Sequence, residues 1–314
     1  MDSIISIRGE LAALFAALIW ALTSTVYAGI GQQIPPLPLN LLKGLAAIGF
    51  TLVTLAGRQS PDLNWPSVGL LALSGAVGIG LGDTAFFESL NCLGARRGLL
   101  LEALAPPLAA LIAWLALGER LPTLAYWGIL LTVSGVAWVV VERTPPQVTA
   151  AAIAPDLQTS RPPENDVAKF LLLRGIGFGS LAALAQASGA VLSRAALADT
   201  AVPPLWSSLI RLVGGCAVLT LWLGARPQPG RFKALRSPRL IVIVIATAFA
   251  STFLAIWLQQ TALKYTATGV AQAIGATSPL FVIPIALLLG DRVSSRAILG
   301  AITALVGVCL LFIA

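Results

Sequence analysis

Apolar residues in this chain come in long blocks rather than in strict alternation, and short polar or proline-bearing breaks separate the blocks. A block of about 18 to 25 residues, rising about 1.5 Å per residue as a helix, crosses a hydrocarbon layer about 30 Å thick. Ten such blocks are predicted as spans, over residues 9–30, 39–56, 67–90, 95–121, 124–141, 170–197, 204–224, 240–263, 267–289 and 297–313. The run Pro35-Pro36-Leu37-Pro38 forces the first break, and Pro122 follows the charged stop Gly118-Glu119-Arg120. Only one long polar interval remains, 142–169, rich in Pro, Thr and Gln, and it reads as a linker between a first unit, 1–141, and a second, 170–314.

The two units repeat one another. Adding 172 carries the stretch from Ala95 onto the stretch from Ala267, with Pro107 meeting Pro279, Leu108 meeting Leu280 and Gly118-Glu119-Arg120 meeting Gly290-Asp291-Arg292. The same offset takes Gly128 to Gly300 and Gly135 to Gly307. Five spans per unit is an odd number, so the second copy enters the membrane from the opposite side. The expected fold is therefore an all-α membrane protein of ten transmembrane helices in two inverted five-helix repeats, an arrangement of carriers that work by alternating access.

Composition agrees with this and narrows the chemistry. Hydrophobic residues make up 57% and charged residues 11% of the 314, and the mean hydropathy is +0.89, which leaves too little polar chain for a soluble domain. There is no histidine, and Cys92, Cys216 and Cys309 are far apart without CxxC spacing, so no metal site, cofactor or disulfide is expected. Neither GxSxG nor DDxxD nor a nucleotide-binding loop occurs, which leaves a membrane-embedded lipid-modifying enzyme without a nucleophile or diphosphate motif. The net charge of +7 is carried mostly by loops and is assigned to lipid headgroups rather than to nucleic acid.

A few charges stand inside the spans, where each costs about 2.5 to 3.5 kcal/mol even on lenient insertion scales and therefore faces protein or water. Glu102 is the first candidate. Pro106 withdraws the hydrogen bond its carbonyl would accept, leaving a polar spot for a proton, a cation or an ammonium group; the alternative is a structural pair with Lys43, Arg96 or Arg97. Asp83 and Glu88 are further acidic candidates in the third span, five residues apart and so on different faces. Lys43 and Arg211 stand early in the second span of each unit, either as clamps for a carboxylate or phosphate or with their stems reaching the headgroups. Trp20, Trp257, Gln186, Gln259, Gln260 and Gln272 are expected cavity walls, suited to an amphiphilic organic solute. Pro106, Pro107, Pro279 and Pro284 are expected to bend the fourth and ninth spans.

The segments LNCLGAR and ALKYTAT, each followed by an apolar run with a central proline and then by LGERL or LGDRV, resemble the drug/metabolite transporter superfamily, specifically its ten-helix EamA-type members. That resemblance covers nearly the whole chain outside the linker. It implies a basket of ten helices whose cavity is lined by the first, third and fourth spans of each half, and export of small metabolites such as amino acids. Protons are the candidate coupling ion, the lipid bilayer is the surrounding partner, and a monomer suffices; in a bacterium the site of residence would be the inner membrane. Arg96-Arg97, the doubled proline at 106 and 107, and Glu102, which matches Ile274, depart from the family pattern.

Both termini fall on one face, together with Arg8, Arg58, Arg120, Arg194 and Lys264, whereas thirteen bases fall on the other, five of them between 225 and 239. The positive-inside rule places the termini outside, against the family's usual arrangement. A topology reporter fused at Ala314 is expected to read an external carboxyl terminus; a cytoplasmic signal would reverse the assignment.

Overall fold

Helices begin where the sequence supplies a stop for the preceding one. In the computed structural model, which describes residues 2–30, 34–59, 61, 63–142, 164–225, 237–278, 280–281 and 295–314, the chain opens with α1, Asp2–Ile30, followed by α2, Pro36–Leu55, with proline in its first turn. Asn64 then caps α3, Trp65–Gly75, its side chain accepting from the Ser67 amide at 3.1 Å. A π-helical segment, Ala76–Asp83, continues into α4, Thr84–Glu102. After a turn come α5, Ala105–Leu117, closed by Gly118 at φ 67°, and α6, Thr123–Glu142.

The second half follows as α7, Glu164–Leu197, and α8, Pro204–Ala225. The eighth span is α9, Pro238–Ala248, a second π-helical segment, Phe249–Leu254, and α10, Ala255–Tyr265. Then come α11, Thr268–Gly275, and α12, Ser295–Ile313. No strand occurs among the described residues. Among the described residues five helices, Leu37–Leu55, Trp65–Leu90, Phe170–Leu197, Pro204–Ala225 and Pro238–Tyr265, are long and apolar enough to cross a membrane, accompanied by shorter apolar helices at Ala105–Leu117, Thr123–Trp138 and Ile298–Ile313. The last residues of the expected linker already belong to α7, which starts at Glu164; most of the linker, and Pro279 and Pro284 of the ninth span, lie outside the described residues.

Helical backbone runs without interruption from the third expected span into the fourth, yet the chain reverses there. Ser89 and Leu101 both pack on Gly179 of α7, although twelve residues of straight helix would hold them about 18 Å apart. Gly98 likewise lies against Leu90, whose Cδ2 would come 2.6 Å from a Cβ at that glycine. The fourth span is itself broken at Ala103-Leu104, so that Pro106 and Pro107 occupy the first turn of α5, where a missing amide hydrogen costs nothing.

Helix pairing follows a two-fold rule. The α4–α7 pair has its mate in α10–α1, the α3–α8 pair in the packing of α2 on the eighth span, and α6–α12 and α5–α11 pair each span with its own copy. Glycines make the inversion explicit. Gly135 packs on the Gly300 carbonyl, 2.6 Å from where its Cβ would stand, and Gly307 on the Gly128 carbonyl at 2.7 Å, so each glycine meets the repeat mate of the other. Only an antiparallel crossing of two equivalent helices does this, and the small residues let their backbones touch.

Candidate functional site

Both π-helical segments fall at the same place in the repeat: adding 172 carries Ile79, inside the first, onto Ser251, inside the second. A π-turn alters the regular α-helical hydrogen bonding, and these two carbonyls accept from side chains of other spans. Asn40 Nδ2 of α2 donates to the Ile79 carbonyl at 3.2 Å, and Trp20 Nε1 of α1 donates to the Ser251 carbonyl at 3.0 Å. The third and eighth spans are thus widened and polar at mid-length, facing the interior of the bundle.

Around this widened zone the expected polar residues converge from both halves. Asp83 ends the first π-helical segment and accepts from Gln186 Nε2 of α7 at 3.0 Å. Gln186 Oε1 and Arg211 Nη2 both border Gly78, at 3.7 and 3.1 Å from the point a Cβ would occupy. Arg211 Nη1 makes a long contact, 3.5 Å, to Gln259 Oε1, and Ser207 Oγ donates to Gln260 Oε1 at 2.7 Å. Gln272 of α11 reaches the Gln186 carbonyl at 3.5 Å. A second repeat of this geometry does not exist, because Gln186 and Asp83 have no matching acid and amide in the other half.

Burial locates the two cations. Lys43 is 9% exposed and Arg211 3%, so neither stem carries its charge out to the headgroups, and that alternative from the sequence is set aside. Lys43 Nζ stands 5.7 Å from the centroid of the Phe87 ring, a cation–π contact between two spans that no residue pattern announces. Both cations lie within electrostatic reach of Asp83, and Asp83 in turn of Glu102. Glu102 is half-buried at the break before α5, and its Oε2 is buried without a partner. Arg211 Nε and Gln260 Nε2 are also buried and unpartnered, three polar groups in one region with bonding capacity to spare.

Glu88 takes a different place. Its carboxylate pairs with Arg174 at 2.6 Å, both side chains partly exposed, and links the third span to the beginning of α7. Trp257 stacks on Phe253 with centroids 6.5 Å apart and packs among Ala47, Ile79 and Leu205. Between α1 and α10–α11 a narrow cleft is lined by Ala13, Ala16, Trp20, Gln259, Ala271, Gln272 and their neighbours, with room for about one water molecule. Among the described residues no group of His, Cys, Asp or Glu is arranged to hold a metal ion.

The EamA-like transporter family matches residues 7–141 and, a second time, residues 173–313. An uncharacterized protein of Pseudomonas aeruginosa, PA1977, is 30% identical over 135 residues, which cover 43% of this chain and 46% of that protein, so the likeness spans about half the length of each. A protein of known crystal structure superposes with a TM-score of 0.74 at 15% identity, over 98% of this chain and 97% of the other, and shows that the fold is shared.

Proposed function

We propose that this chain, a member of the EamA-like transporter family, is a secondary carrier that exports a small organic metabolite, amino acids first, by alternating access between its two inverted repeats. One observation carries the reading. Lys43 and Arg211 are buried, and two half-buried acids, Asp83 within electrostatic reach of both and Glu102 within reach of Asp83, complete a set of two bases and two acids drawn from spans of both halves. Such a balanced set costs desolvation that a purely structural core avoids, and it suits a solute bearing both an ammonium and a carboxylate. Glu102, with its spare buried oxygen, is the group through which a proton would exchange.

A second reading is favoured by the two buried cations alone: exchange of anionic, phosphorylated or nucleotide-linked solutes held by Lys43 and Arg211. Purified carrier in lipid vesicles loaded with labelled amino acids separates the two. Counterflow of a labelled amino acid is the expected result. A Lys43→Ala variant that loses transport for phosphorylated solutes only, with amino acids never carried by the parent, would replace the first reading by the second. Ligands from a metabolite panel that raise the melting temperature of the purified carrier identify the solute.

A further inference from the structure

One end of the basket is tied shut across the two halves. Glu119, in the stop that ends the first half's fourth span, accepts from Arg194 Nε of α7 at 2.7 Å, with the side chains only 16% and 19% exposed. Its other oxygen accepts from the backbone amide of Thr268, the first residue of α11, at 3.0 Å. Arg194 Nη1 meanwhile donates to the carbonyls of Leu263 and Lys264, at 3.0 and 2.7 Å, in the last turn of α10. The acid therefore sits at the positive end of one helix and the guanidinium at the negative end of the other, so the pair fills the gap between α10 and α11 with the sign each terminus favours.

Two further contacts seal the same end. Gly9 of α1 packs so closely on Thr266 that a Cβ there would overlap it, and Lys264 Nζ binds the carbonyls of Thr200 and Val202 in the loop after α7. Next to this end lies the cleft lined by Ala13, Trp20, Gln259, Leu263, Ala271 and Gln272, with room for about one water molecule, and Leu263, whose carbonyl Arg194 holds, is one of its walls. The device is one-sided in sequence. The motif Leu-Ala-Ala-Leu at 11–14 recurs at 181–184, and that register puts Ser24 where Arg194 stands, so the matching acid Asp291 has no arginine assigned to it by the repeat.

We propose that Glu119 and Arg194 are the gate on the face of the membrane that carries the termini, holding the carrier closed there, and that opening toward that face requires the Glu119 bonds to Arg194 and Thr268 to break. A bond between two charged groups resists loss far more than a neutral one, and removing one partner leaves the other buried and unpaired. Glu119→Gln keeps the shape and removes the charge. Arg194→Lys keeps the charge and loses the fork that serves three acceptors at once.

The test reads access to the cleft. In a chain whose three cysteines are replaced by alanine, Ala271→Cys is labelled by a membrane-impermeant maleimide applied from the face of the termini to oriented vesicles. Glu119→Gln is expected to speed labelling roughly tenfold, the factor that about 1.4 kcal/mol gives in a two-state equilibrium. Arg194→Lys is expected to speed it by a smaller factor, and labelling from the opposite face is expected to slow in both. Unchanged rates in both folded variants would overturn the proposal, and if Glu119→Gln does not fold, the Arg194→Lys rate alone decides. The readout does not depend on a solute: altered access with no transport of any solute would leave the gate standing and remove the carrier reading instead.

Discussion

Replacement of Arg211 by methionine is expected to abolish transport and to lower the melting temperature of the purified carrier markedly. The guanidinium is 3% exposed, with no carboxylate within ion-pair distance among the described residues, and it lies in electrostatic reach of Asp83. Methionine fills a similar volume but strips Asp83 of one of its two nearby cations and leaves its carboxylate less compensated in a low-dielectric interior. The same substitution removes the buried Nε donor that has no protein partner and is free to meet the solute.

Stability and transport separate in the double variant Asp83→Asn with Arg211→Met. Removing both charges relieves the uncompensated acid, so the melting temperature should recover most of the loss, while transport stays absent because Lys43 alone is left to meet the solute. Full stability and unchanged transport in Arg211→Met alone would show that the buried guanidinium serves neither purpose. Gln186, which holds Asp83 at 3.0 Å, is expected to couple to the same pair in a double-mutant cycle.

The second large effect concerns the fold rather than the site. Gly135→Leu should yield little monodisperse protein in detergent, because the new side chain would start 2.6 Å from the Gly300 carbonyl and against the backbone of Ala304. These are backbone atoms that cannot rotate away, and overpacking of this kind costs about 1 to 3 kcal/mol or more. Gly69→Ala provides the contrast. Nothing lies within 4 Å of its Cβ position, and alanine is the better helix former by about 0.8 to 1 kcal/mol, so this variant should be as stable as the parent or more so. Equal behaviour of the two variants on a sizing column would contradict the close α6–α12 crossing.

Much of the architecture was legible in the chain. Hydropathy is a local property that accumulates over about twenty residues, so the spans could be read one at a time, and the offset of 172 then made the second half a copy of the first. An odd number of spans per copy implies inversion by counting alone, and the Gly128–Gly307 and Gly135–Gly300 contacts are that inversion in atomic form. The reversal between the third and fourth spans was also expected, because one apolar block ends at 90 and the next begins at 95, even though the helical backbone carries through it. Less visible was the matched pair of π-helical segments, because a π-turn changes backbone hydrogen bonding without a distinctive residue type; the repeat offset applied to Ile79 and Ser251 would have been the only clue.

By itself, then, the sequence determined the class, the ten spans, the duplication and the residue types available for chemistry. Tertiary structure alone decided which of those residues meet. In a bilayer the lipid-facing and protein-facing sides of a helix are both apolar, so hydropathy does not fix the rotation of a helix about its axis, and rotation selects the partners. That is why Glu88, Glu102 and Glu119 looked alike as acids in or beside spans, yet one pairs with Arg174 near the surface, one keeps a bare buried oxygen and one joins Arg194 across 75 positions of chain.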